Sequence, residues 1–124
     1  MTLRYGGPVI DPHHHLWDLS LNRHPWLEKA RGEGTEMVFG SLAPILRDYG
    51  IEDYLADAAN QNIVATVHVE AGWSDDHPLE ETRWLNSLDR TTGVARRYIA
   101  RVPLDSPDAL RLLEAEAANP DVVG

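Results

Sequence analysis

With 124 residues the chain has one domain's worth of material, enough for a hydrophobic core but short for a fold of many strands. Its 20 acidic residues against 11 basic ones leave a formal charge of −9, which argues against nucleic acid and anionic membrane surfaces, since both select basic patches. Cysteine is absent, which excludes disulfides, thiolate metal sites and a cysteine nucleophile, so any metal must be held by nitrogen and oxygen.

No apolar segment of signal-peptide length opens the chain and no run reaches the length of a membrane span, so a soluble cytoplasmic protein is expected. The first element is the run Val9-Ile10-Asp11-Pro12-His13-His14-His15-Leu16-Trp17. If Val9 to His15 is extended, alternation sends His13 and His15 to one face and His14 to the other. Two neutral imidazoles so placed can share one metal ion at about 2.0–2.1 Å each, with Asp11 on the same side as a third ligand or a group behind the ligands. Pro12 lacks an amide proton and suits the end of a strand. A solvated or hydrogen-bonded histidine cluster is the plainer alternative, and the apolar and Asp-Pro flanks do not resemble an engineered tag.

From Asp18 to Pro44 little periodicity is visible, and Pro25, Gly32, Gly34 and Gly40 punctuate the stretch. It reads as a long loop at about residues 18–44, ordered because Trp17, Trp26, Leu27 and Phe39 are costly to leave in water, and of the kind that borders active sites. Regular pattern then resumes. Ile51–Ala59 predicts a helix with Tyr54, Leu55, Ala58 and Ala59 on one face, and Ile63–Val69 predicts a strand. Pro78 opens a second helix with the stripe Trp84, Leu85 and Leu88, and Tyr98–Val102 is the next strand. Ser106 caps a third helix carrying Leu110, Leu113 and Ala117, and Val122-Val123 begins a fourth strand.

Strands and helices alternating at this spacing predict βαβ units and a parallel sheet. The fold class expected is α/β, the N-terminal part of an eight-unit (β/α)8 barrel, with about three βα units and the start of a fourth strand in residues 1–124; a small three-layer sandwich is the alternative. Along the second strand, Ala65, Val67 and Val69 should pack against helices. The face bearing Thr66, His68 and Glu70 should point inward, bringing His68 and Glu70 to the strand's carboxyl end beside His13 and His15. Arg101, at the corresponding end of the third strand, could grip a substrate carboxylate or pair with Asp105 or Glu70. Trp17, Trp26 and Trp73 fall in or beside loops that follow strands, where they line a pocket or pack in the core. His24 and His77 read as surface residues.

Ile10-Asp11-Pro12-His13-His14-His15-Leu16-Trp17-Asp18, together with His24-Pro25-Trp26-Leu27, Val67-His68-Val69-Glu70-Ala71-Gly72-Trp73 and Glu81-Thr82-Arg83-Trp84-Leu85, resembles the amidohydrolase-2 branch of the amidohydrolase superfamily. More narrowly it resembles the L-fuconolactonase-like barrel hydrolases. The resemblance implies that His13 and His15 lie in the metal or substrate site, with further histidines and a general-base aspartate from later strands that this sequence does not contain. Members of the branch differ in their need for a metal, so the implied cofactor is a divalent cation such as zinc, or none, with His13 and His15 then touching substrate directly.

The activity implied is opening of a lactone ring in a sugar-derived or aromatic-catabolite acid, with His13 and His15 holding the cation and His68, Glu70 and Arg101 positioning a small-molecule substrate. Decarboxylation of an aromatic or unsaturated acid is the alternative on the same ligands. The reading from another class is an incomplete, inactive barrel fragment acting only by self-association through its open sheet edge, as a homo-oligomer.

Overall fold

The computed structural model describes residues 5–33, 36–37 and 40–124. In chain order the elements are β1 (Val9–His14), α1 (Pro25–Glu33), β2 (Glu36–Met37), β3 (Gly40–Ser41), α2 (Ile51–Asp57), β4 (Ile63–Val69), α3 (Glu80–Ser87), β5 (Arg97–Ile99) and α4 (Ala109–Ala117). No helix among the described residues is long and apolar enough to cross a membrane. β1, β4 and β5 form a parallel sheet in that order, while β2 and β3 make a separate antiparallel pair.

β4 occupies the residues its β-branched run predicts. β5 begins one residue earlier than expected and stops at Ile99, because its partner ends: Val69 pairs with Ile99, and the last bond on that side runs from the Glu70 N–H to the Ile99 carbonyl. On the other side of β5, Tyr98 bridges Val122 in parallel, and the Ala100 N–H donates to the Gly124 carbonyl. The fourth strand therefore starts where the sequence places it, and the sheet of the described residues is open.

Residues 18–44 are not one structureless loop. Pro25 at the first helical position and Glu28 in the first turn start α1, and its Leu27 and Ala30 are buried. Few apolar residues mark the helix, which is why periodicity missed it. Phe39 and Gly34 lie outside the described residues.

Two bulges set the faces of the sheet. Ile10 pairs with Ala65 and Asp11 with Thr66, whereas His14 pairs with His68, so β1 carries an extra residue between Asp11 and His14. The Asp11 carboxylate causes the bulge locally by accepting the His13 N–H at 3.0 Å, a turn for which Pro12 needs no N–H partner. Asp11, Thr66, His14, His68 and Tyr98 consequently share one face. Helices cover it: Tyr54 of α2 donates its hydroxyl to Asp11 and stacks on His14, and Tyr98 donates to Asn86 of α3.

The expected assignment of faces is thus reversed. Ala65, Val67 and Val69 lie on the face away from α2 and α3, where Ile10 is 62% exposed and Ile99 39% exposed. One-sided cover also separates this chain from a complete three-layer sandwich. The core itself, Leu16, Tyr54, Leu85, Val94, Ala95 and Tyr98, lies between the sheet and the helices. Gly93 lets the loop before β5 lie against β4: its φ is +90°, and a side chain there would collide with the Val64 carbonyl.

Candidate active site

The bulge in β1 delivers His13 and His15 to the carboxyl end of the sheet with their rings converging. Nε2 of one lies 3.3 Å from Nε2 of the other, and the ring centroids are 5.0 Å apart. His15 Nδ1 is 2.8 Å from the Val69 carbonyl, an acceptor only, so Nδ1 carries the proton and Nε2 presents its lone pair toward His13. β4 thereby orients a ring that β1 supplies.

Two nitrogens each about 2.0–2.1 Å from one tetrahedrally coordinated ion stand roughly 3.3–3.4 Å apart, which the observed separation fits. A ligand imidazole whose other nitrogen donates to a backbone carbonyl is the usual arrangement around zinc. The pair offers two donors. Among the described residues no three His, Asp or Glu side chains gather into a metal-ready cluster. Asp11 does not join as a third ligand, because its oxygens are taken by the His13 N–H and the Tyr54 hydroxyl. Burial raises its pKa, but those two bonds outweigh it and hold the carboxyl below its usual range.

Beside His15 opens a cavity of about 330 Å³, lined by His15, Trp17, Trp26, Ile45, Glu70, Ala71 and Gly72. Both indoles are anchored: Trp17 Nε1 donates to the Arg47 carbonyl at 2.6 Å and Trp26 Nε1 to the Ala71 carbonyl at 2.9 Å. Glu70 accepts the Gly72 N–H at 2.9 Å, which holds its carboxylate at the rim. Of the two strand-end residues singled out in the sequence, Glu70 lines this cavity.

His68 does not. It is fully buried, its ring edge-on to His14 at 5.6 Å, with Nε2 3.4 Å from the Leu16 carbonyl. Burial drives its pKa down to about 3 and that of His14 to about 4, so both stay neutral within the core. The substrate-contact role for His68 is therefore corrected to packing, for the same reason the faces are reversed. Arg101 is corrected as well. It pairs with Asp75 at 3.1 Å, rather than Asp105 or Glu70, and lines a different cleft between α3 and α4 with Glu81, Thr82 and Glu116. His24, expected at the surface, is fully buried against Trp73 at 5.2 Å.

Glu81 is a further residue near this site, and the sequence carries a signal for it. Positions 81, 84, 85 and 88 fall on one helical face, so an acid heads the apolar stripe of α3. Its carboxylate is buried and accepts the Ala71 N–H at 3.0 Å.

No family model matches the chain. Over 107 residues, 86% of its length, the chain is 39% identical to the uncharacterized protein y4mH of Sinorhizobium fredii, of which the match covers 35%. An Amidohydrolase 2 from Bifidobacterium longum subsp. infantis superposes with a TM-score of 0.56 at 22% identity, covering 90% of this chain and 48% of that one. The chain has the fold of part of that protein. It spans about a third of the first relative and about half of the second.

Proposed function

We propose that this chain carries the first-strand part of the active site of an amidohydrolase-2-type hydrolase, and that the parent activity opens a lactone ring in a small carbohydrate-derived or aromatic acid. The observation that carries the reading is the 3.3 Å convergence of His13 and His15 with His15 held by the Val69 carbonyl. Similarity of fold to an amidohydrolase supports it.

A divalent cation such as zinc, when bound by His13 and His15, would polarise the lactone carbonyl and lower the pKa of coordinated water toward about 7. The chain's own residues do the rest of the binding. Trp17 and Trp26 give anchored apolar walls against which a substrate ring can pack and shed water from its apolar face. Glu70 accepts a hydrogen bond from a substrate hydroxyl at the rim, and its orientation costs little because Gly72 already holds it.

Zinc or manganese titrated calorimetrically into the wild-type chain and into the His13→Ala, His15→Ala double variant tests the ligand assignment. Uptake by the wild type and its loss in the double variant is expected; equal uptake removes the assignment. Chemistry is tested separately by product analysis on candidate lactones, where ring opening without carbon dioxide supports the lactonase and carbon dioxide release eliminates it.

A further inference from the structure

The segment Glu70-Ala71-Gly72 forms one wall of the cavity beside His15, and two carboxylates grip its successive amides. Glu70 takes the Gly72 N–H at 2.9 Å, and Glu81, reaching from α3, takes the Ala71 N–H at 3.0 Å. The next peptide unit matters equally: the Ala71 carbonyl, in one plane with the Gly72 N–H, accepts Trp26 Nε1 at 2.9 Å. Gly72, at φ +71°, presses so close that a Cβ would stand 2.7 Å from that indole nitrogen. A displacement of Ala71 is felt by Trp26 through that hydrogen bond and through the close approach of Gly72.

We infer that Glu81 is a positioning residue of the candidate site, fixing through the Ala71 amide the loop that carries Glu70 and to which Trp26 of α1 is bonded beside His15. Glu81 touches neither cavity nor histidines, so its action is indirect. Why an acid does this work follows from its surroundings. An ionised carboxylate accepts an amide N–H about twice as strongly as a neutral acceptor does. The first turn of α3 and the nearby Arg101 favour the ionised form, and burial, Glu70 and Glu116 disfavour it. Glu116 comes from α4, where it is bonded to Thr82 and lies near Arg83; His77 and Asp75 line the same cleft. Burial is the largest of these influences and pushes the Glu81 carboxyl up to about 7. The grip on Ala71 should therefore tighten as pH rises through neutrality.

The inference gives the loop a purpose only if the proposed site is real, but its test needs neither metal nor substrate. In the full 15N-labelled chain, the backbone amide of Ala71 and the indole N–H of Trp26 are followed from about pH 5 to about pH 9 by NMR. Both resonances should titrate with one midpoint near neutrality. Glu81→Gln, which keeps an acceptor but no charge, should lose both titrations while retaining the fold, and His77→Gln should leave both in place. An Ala71 amide that does not titrate overturns the inference, and so does a Trp26 indole that stays still while Ala71 moves. A midpoint that disappears in His77→Gln overturns it too. If Glu81→Gln fails to fold, coincidence of the two wild-type midpoints and their survival in His77→Gln remain decisive.

Discussion

His13 and His15 on one side, His14 and His68 on the other, are the same side chain within a few ångströms of each other, and the sheet gives them opposite fates. The first pair sits at the open end of the strands with two ring nitrogens facing at 3.3 Å. The second lies under α2, where Thr66 Oγ1 is hydrogen-bonded to His14 Nε2 at 2.6 Å and burial keeps both rings neutral. Alternation parts His14 from its neighbours but does not say which of them shares the buried face of His68. The extra residue in β1 does, by turning His14 into register with His68 and leaving its neighbours free. A histidine cluster is thus two devices, a converging pair to which we assign metal binding and a packed polar layer beside it.

Substitution should pull the two apart. His68→Ala opens a cavity and strips partners from a buried layer, and should cost about 2–4 kcal/mol in urea unfolding while zinc uptake at the exposed pair persists. His13→Ala should do the reverse, losing uptake and changing stability by no more than about 0.5 kcal/mol. If His68→Ala abolished uptake with the fold intact, the division would fail.

pH sharpens the comparison because the buried histidines and the buried Glu81 act in opposite directions. A histidine whose folded pKa lies below its unfolded value of 6.5 leaves the unfolded chain binding more protons as pH falls. Stability is therefore full above about 6.5 and drops below it, by about 1.4 kcal/mol per pH unit for each group, down to the folded value. Glu81, raised from 4.5 to about 7, keeps its proton in the folded state after the unfolded chain has lost it, so its burial costs stability as pH rises from 4.5 to about 7. Glu81→Gln should then match the wild type below that window and exceed it above neutrality by up to about 3 kcal/mol, measured by urea midpoints across pH. A pH-independent difference would contradict this.

Smaller effects belong to the rim. Gly72→Ala requires a left-handed backbone and collides with Trp26, and should cost about 1–2 kcal/mol with a shift in tryptophan emission as that indole leaves Ala71. Arg101→Ala breaks only a half-exposed pair with Asp75, and should change stability by less than about 0.5 kcal/mol and zinc uptake not at all.

The parallel βα order, β4, the three later helices and the convergence of His13 and His15 were legible because each rests on local pattern: β-branched runs, apolar stripes and spacing by two. What stayed hidden depends on events between elements. The bulge that reverses the faces arises from one Asp11 bond and from pairing with β4, so His68 could not be told from Glu70 by counting along a strand. Arg101 found Asp75, a residue 26 positions away in a loop, instead of a near neighbour in sequence. α1 carries too short an apolar face to stand out before its contacts form. Glu81 hid because an acid at a helix start reads as dipole chemistry until the Ala71 amide is seen against it.

X-ray absorption at the zinc edge of the metal-loaded chain looks straight at the proposed ligands His13 and His15. Two imidazole nitrogens at about 2.0–2.1 Å in the wild type, falling to one in His15→Ala, is the outcome required. An oxygen-only shell, or one unchanged by the substitution, would leave His13 and His15 as a hydrogen-bonded pair without a metal to share.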